Sequence, residues 1–284
     1  MLLTGKVSII TGGSMGIGKA IAKAFLSEGC QCVLAARGRQ DLATAVEELA
    51  AIGPRVKAFS ADITSEKDVQ SLVDFTLEEF SAVDILVNCA GIYGPIGPSI
   101  DVDVCKWWEA LEINLRGTFL CTHSVLRAMI TQGRKGKIIN LAGGGAASPF
   151  PRFSGYAASK AAVVRLMETL AEETKQYGID INVIAPGAVN TRLLDQVVAA
   201  GETAGKEQLE RSLRQEQDGG VSPELAAELA VFLASNQSNG LTGKFISAVW
   251  DDWRSLAGRI PEVMRSDIYT LRRVTQEQEQ TQSE

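Results

Sequence analysis

The chain has 284 residues, 45% of them hydrophobic and 22% charged, with a formal net charge of −6 at pH 7. That suffices for one α/β domain with a sizeable core, and an acidic balance without a basic stripe excludes a general nucleic-acid binder. No apolar run reaches the roughly 20 residues that span a bilayer, and Met1–Lys6 is too short for a signal peptide, so no membrane contact is expected. The five scattered cysteines read as reduced core residues, which places the protein in the cytoplasm. The single histidine, His123, lies inside a helical pattern and rules out a His-rich metal centre; no metal is expected.

Lys6–Ile10 is a short β-branched run, hence a buried strand. Thr11-Gly12-Gly13-Ser14-Met15-Gly16-Ile17-Gly18 follows at once, and a helical pattern continues from Lys19. Strand, glycine-rich turn and helix form the context of a dinucleotide site. Glycines let the backbone approach a pyrophosphate, and a helix N-terminus offers free N–H groups. The next strand, Gln31–Ala36, ends in Arg37-Gly38-Arg39. An acid at this strand end would hold ribose hydroxyls, whereas an arginine suits a 2′-phosphate. Ala36 followed by Arg37 therefore favours NADP(H), with NAD(H) as the alternative; a merely solubilising role for Arg37 and Arg39 also stays open.

A helix over Asp41–Ala51 and a strand over Arg55–Phe59 precede Asp62-Ile63-Thr64-Ser65, where Thr64 or Ser65 caps a helix running to about Phe80. Asp84–Asn88 reads as the fourth strand, Tyr93–Val104 as a loop, Lys106–Ile130 as helical and Ile138–Leu141 as the fifth strand. Gly155-Tyr156-Ala157-Ala158-Ser159-Lys160-Ala161 opens a helix to about Lys175. Tyr156 and Lys160 stand four apart and so share one helix face. An ammonium there favours phenolate and lowers the tyrosine pKa from about 10 toward working pH, which makes a general acid/base.

Ile179–Ala185 and Lys244–Val249 are the sixth and seventh strands. Between them Pro186–Val221 is polar and glycine-punctuated, with helical patterns at Thr191–Ala199 and Lys206–Gln215. An insertion at the carboxyl edge of a parallel sheet suits a mobile substrate lid, here 187–221, partly apolar through Leu193, Leu194 and Val197. Ser222-Pro223 starts another helix. The alternation predicts a single α/β, Rossmann-type doubly wound sheet of seven parallel strands with helices on both faces, filling residues 1–253. Residues 254–273 form a C-terminal extension, and Gln/Glu-rich 274–284 reads as a disordered tail.

Taken together these motifs resemble a short-chain dehydrogenase/reductase over roughly Leu3–Val249. Thr11-Gly12-x-x-x-Gly16-x-Gly18 resembles that family's cofactor loop, with Ser14, Met15 and Ile17 inside it. Asp62, with Ile63, falls where the family contacts adenine. Asn88-Cys89-Ala90-Gly91 resembles its Asn-Asn-Ala-Gly stretch, and Pro186-Gly187 with Val189 and Thr191 its segment at the nicotinamide carboxamide. Asn114 matches the asparagine that anchors a water in the family's proton relay, and Tyr156-x-x-x-Lys160 its acid/base pair. The resemblance implies hydride transfer between a nicotinamide and a carbonyl or secondary alcohol, with Tyr156 exchanging the proton and Lys160 lowering its pKa and holding the nicotinamide ribose. It also implies a homodimer or homotetramer.

Two departures stand out. The serine that the family places thirteen residues before its tyrosine is Gly143 here, in Ala142-Gly143-Gly144-Gly145-Ala146. Backbone N–H groups of Gly143–Gly145, a displaced hydroxyl of Ser148 or Ser154, or a non-catalytic NADP(H)-binding sensor or partner subunit each account for it. The chain also continues past the last strand through Trp250-Asp251-Asp252-Trp253. That segment reads either as a mouth for a sugar-like substrate or, with slightly more weight, as a packing patch between subunits.

Overall fold

The structure, a computed structural model, describes residues 1–53 and 55–273; the expected disordered tail over 274–284 lies outside the described residues. Strands β1 (Val7–Thr11), β2 (Gln31–Ala36), β3 (Val56–Ser60), β4 (Ile85–Asn88), β5 (Gly136–Leu141), β6 (Ile179–Ala185) and β7 (Phe245–Ser247) form one parallel sheet in the order β3-β2-β1-β4-β5-β6-β7. Successive residues face opposite sides of a strand, and here both sides are buried. Ile10, Leu34 and Val87 join one core; Ile9, Val33 and Leu86 join the other. The doubly wound seven-stranded α/β sheet expected from the alternation is therefore present.

Helices α1 (Gly16–Ser27) and α2 (Arg39–Ala50) cover one face together with a later helix over Pro223–Ala234; α3 (Glu66–Phe80) lies on the opposite face. Ser65 caps α3, its Oγ accepting from Asp68 N at 3.2 Å. The expected helical stretch 106–130 is not continuous: α4 (Val104–Leu111) and α5 (Thr118–Thr131) are joined by a π-helical turn, Glu112–Gly117, that contains Asn114. Such a turn widens the helix by one residue and often marks a functional position. The opposite face is completed by α6 (Ser154–Thr174), whose Val163, Val164 and Met167 are buried against β5 and β6 residues.

The segment after β6 folds as α7 (Arg192–Ala200) and α8 (Lys206–Asp218), tied at its base by a bridge between Val189 and Val221, before α9 (Pro223–Ala234) returns to the core. Strand β7 is shorter than expected. Ser247 N donates to the Asp251 carboxylate at 2.6 Å, and Ser247 Oγ accepts from Trp250 N at 3.1 Å, turning the chain off the sheet.

Beyond it lie α10 (Ile260–Met264) and a terminal run laid along the outer side of β7. Phe245 N donates to Tyr269 O at 2.7 Å. Lys244 Nζ, itself buried, donates to Ser266 O at 2.9 Å and Ile268 O at 3.0 Å. Buried Glu168 accepts from Leu271 N at 3.0 Å and pairs with Arg165 and Arg272.

The Trp250–Trp253 segment does not form one surface. Trp250 is 86% exposed. Trp253 is buried in its own chain: it lies 6.0 Å from the Phe232 ring, its Nε1 donates to Ala248 O at 3.3 Å, and Arg254 stacks on its outer face at 4.2 Å. The paired-tryptophan mouth and the paired-tryptophan interface are both corrected by this, because Trp253 is spent on the core.

Candidate active site

The sheet order reverses direction between β1 and β4, and ligands of open α/β sheets sit in the crevice that such a switch opens at the carboxyl ends. Thr11 ends β1 there, and its Oγ1 accepts from Cys89 N at 3.2 Å and Ala90 N at 3.3 Å, locking the two strand ends together. The glycines are required by space. A Cβ on Gly18 would stand 2.3 Å from Gly12 O, and one on Gly12 would stand 2.9 Å from Ala90 N. Met15 occupies the N-cap of α1 and offers no side-chain bond, so the first-turn N–H groups face the loop. This cradle fits a pyrophosphate, and Gly12, Ser14, Met15, Gly16, Ile17 and Gly18 could hold one.

Thr191 closes over the same loop, with Cγ2 3.3 Å from where a Gly16 Cβ would be. From the next residue, Arg192 Nη2 reaches Asp41 Oδ2 of α2 at 3.3 Å, so the start of the insertion crosses to the β2 side of the crevice. Pro186, Gly187 and Val189 follow β6 on the other wall; a Cβ on Gly187 would lie 2.7 Å from Val249 Cγ2.

Arg37 is exposed beyond the end of β2, and its carbonyl accepts from Ser60 Oγ at 3.2 Å. Asp62 Oδ1 accepts from Thr64 N at 2.9 Å and Thr64 Oγ1 at 2.8 Å. Those bonds, more than nearby Arg37, hold its carboxyl below the usual carboxylate range. Ile63 is buried against Gly117. Asn88 faces the sheet instead: its Nδ2 donates to Thr122 Oγ1 at 3.0 Å and Asn140 Oδ1 at 2.9 Å. Its part is to fix the strand end that presents Ala90 and Gly91.

Tyr156, Lys160 and Asn114 converge. Lys160 Nζ donates to Leu141 O at 2.8 Å and lies 5.7 Å from the Tyr156 ring centroid. A Cβ on Gly91 would stand 3.0 Å from Asn114 Oδ1 and 3.5 Å from Lys160 Nζ, which puts amide and ammonium around one point. Asn114 is pinned by Ile92, whose N donates to Oδ1 at 2.9 Å and whose O accepts from Nδ2 at 2.8 Å; Nδ2 also donates to Ser159 Oγ at 3.0 Å.

Burial pushes the Lys160 ammonium down to about 8. It pushes the Tyr156 phenol up, with smaller additions from Tyr93 and Cys89. The direction is opposite to the lowering expected from Lys160, because desolvation of the phenolate is the largest effect on Tyr156.

The region of the missing serine is crowded. A Cβ on Gly143 would lie 2.7 Å from the Tyr156 hydroxyl. Gly144 lies against the Phe150 ring, Gly145 adopts φ +88, and neither displaced serine reaches the phenol. Ser148 is exposed, and Ser154 Oγ accepts from Trp107 Nε1 at 3.0 Å.

Tyr93, Phe150 and Phe153, which no sequence motif singled out, form an aromatic wall beside Tyr156. Phe150 and Phe153 stack at 4.2 Å, and Tyr93 packs edge-on to Phe153 at 5.1 Å and to Tyr156 at 4.7 Å. Val197 of α7 is buried in the same cluster. Only the loop position of Tyr93, at the carboxyl edge between β4 and α4, could have flagged it.

A doubly wound sheet with a glycine cradle at its switch point and a Tyr–Lys–Asn constellation beside it defines the class of nucleotide-dependent dehydrogenases. The model of the short chain dehydrogenase family matches residues 6–201, and the chain belongs to that family of oxidoreductases. It is 36% identical to 3beta-hydroxysteroid dehydrogenase 1 of Eggerthella lenta over 85% of this chain and 91% of that one. It is 32% identical to a sorbitol dehydrogenase of Cereibacter sphaeroides over 90% of this chain and 100% of that one. A crystal structure of NAD+-bound xylitol dehydrogenase superposes with a TM-score of 0.81 at 28% identity, covering 87% of this chain and 98% of the other. Among the described residues no helix is long and apolar enough to cross a membrane, and no cluster suits a metal ion.

Proposed function

We propose that the protein is an NAD(P)-dependent oxidoreductase that interconverts a carbonyl and a secondary alcohol of a small molecule. The observation that carries this reading is the convergence of Tyr156, Lys160 and Asn114 beside the glycine cradle. When bound, the nicotinamide cofactor supplies or takes up the hydride at the substrate carbon. Tyr156 gives its proton to the substrate oxygen, or takes it back, as general acid/base. Lys160 is held at the mouth of the cradle by Leu141 O, where its ammonium faces the phenolate that forms. A pKa near 8 lets Lys160 pass protons at working pH. Asn114, in the π-helical turn, is fixed by three hydrogen bonds to Ile92 and Ser159 and positions the relay behind Lys160.

The cofactor is held by Gly12, Ser14, Met15, Gly16, Ile17 and Gly18 at the pyrophosphate, Asp62 and Ile63 at the base, and Ala90, Gly91, Pro186, Gly187, Val189 and Thr191 toward the nicotinamide. Arg37 after Ala36 favours NADP(H). The segment 187–221 acts as the lid over the substrate. The substrate surface is formed by the aromatic wall with Gly143 and Gly144.

Steady-state turnover of aldehydes, ketones and keto-sugars with NADPH and NADH separately tests this reading. Tyr156→Phe is expected to lose ~10²–10⁴ in kcat, and Arg37→Ala to raise KM for NADPH more than for NADH. Equal activity of Tyr156→Phe and the parent would reject the acid/base role. A second reading, a non-catalytic dinucleotide sensor, draws on the crowding at Gly143; tight cofactor binding without turnover of any substrate class would favour it.

A further inference from the structure

Gly143 stands where the family places its serine donor, and among the described residues no serine side chain stands at the reaction centre to replace it. Ser148 is exposed, Ser154 is engaged by Trp107, and Ser159 Oγ is turned to Tyr156 O at 2.7 Å on the helix backbone. Among the described residues, the hydroxyl-bearing ring that packs directly on Tyr156 is that of Tyr93. The loop residues on either side of it, Ile92 and Gly94, line a cavity of about 530 Å³ toward Pro95–Glu109, whereas Tyr93 turns the other way, onto Tyr156 and Phe153.

Its ring meets the Tyr156 ring edge-on, with centroids 4.7 Å apart and planes at 71°. The Tyr93 phenol makes no hydrogen bond among the described residues, and burial alone raises its pKa, so it is a neutral donor across the working range. A partly buried hydroxyl without a partner, packed against the acid/base residue in a site lacking a side-chain donor, is placed to meet a ligand oxygen.

We propose that Tyr93 donates the hydrogen bond to the substrate oxygen that a serine at position 143 supplies in relatives of this family. The proposal rests on the reading of the site as a carbonyl/alcohol oxidoreductase. The substrate oxygen then lies between two phenols with unequal duties. Tyr156 transfers its proton to that oxygen and regains it through Lys160. Tyr93 keeps its proton throughout and stabilises the negative charge that gathers on the oxygen before the transfer is complete. The backbone N–H groups of Gly143–Gly145 are the competing donors.

The test is Tyr93→Phe, which retains the ring and its packing and removes only the hydroxyl. Measured on the full chain with the best carbonyl substrate of the parent, kcat is expected to fall ~10²–10³, with the cofactor Kd and the melting temperature unchanged.

A Tyr93→Phe enzyme as active as the parent overturns the proposal and assigns the oxygen to the glycine N–H groups. A loss of kcat matched by an equal loss of cofactor affinity or of melting temperature also overturns it, since that reports packing. A parent protein that turns over no carbonyl overturns the oxidoreductase reading itself, and the role of Tyr93 with it.

Discussion

The Tyr156 hydroxyl occupies the space that a side chain at Gly143 would need: a Cβ there would approach it to 2.7 Å. The phenol cannot simply swing aside, because its ring is held edge-on by Tyr93 and shares a buried cluster with Phe153 and Val197. Restoring the family's serine is therefore expected to damage the site. Gly143→Ser should lose ~1–3 kcal/mol of stability by overpacking and should not raise kcat. Thermal melting and steady-state turnover check both; an increase in kcat would show that Tyr156 has a second position that tolerates the serine.

Lys160 provides a test that needs no substrate. Its pKa is lowered from 10.5 to about 8, with burial as the main cause and Cys89 a smaller opposing one. The native state thus releases this proton before the unfolded state does. Below about 8 the charged lysine is a burden on the fold, and stability gained from its neutral form grows as pH rises through the window from about 8 to 10.5. Lys160→Met is expected to melt above the parent at pH 7, with the gap narrowing toward pH 10. A gap of constant size from pH 7 to 10 would contradict the lowered pKa.

The Arg192–Asp41 pair joins the first turn of α7 to α2 across the crevice. Its partners are 67% and 42% exposed, so it contributes little to folding. Its effect should appear in kinetics. Arg192→Gln is expected to leave the melting temperature unchanged and to speed cofactor release several-fold in stopped-flow fluorescence. Asp41→Asn removes a carboxylate near the β2 end and should tighten NADPH relative to NADH. Unchanged release in Arg192→Gln would confine the pair to the surface.

Much of the architecture is readable in the chain because its signals are local. Val7–Thr11 followed by Gly16–Ser27 is a strand, turn and helix in which Gly18 is dictated by a steric contact with Gly12 six residues away, whereas Gly12 and Gly16 meet the distant Ala90 and Thr191. Tyr156 and Lys160 share a face by helical period alone. The rest depends on partners distant in sequence. Trp253 looks like a surface aromatic beside two carboxylates until Phe232 and Ala248 enclose it. The Tyr156 pKa follows burial, which a Tyr–Lys spacing cannot reveal. The π-helical turn at Asn114 leaves an apolar pattern still compatible with one helix, and Tyr93 becomes interesting only when β4 and α6 bring it against Tyr156.

The terminal run beside β7 has a consequence for how the chain meets its neighbours. An outermost strand with bare amides invites another polypeptide to extend the sheet. Here Tyr269 O already receives Phe245 N, and Lys244 and Glu168 clasp the residues around it. The protein is its own neighbour at that border. Cleavage before Ser266 would strip Lys244 Nζ of both its acceptors and free a strand edge at once, turning a sealed flank into an adhesive one. Protection of that border thus depends on the short run from Ser266 to Arg272.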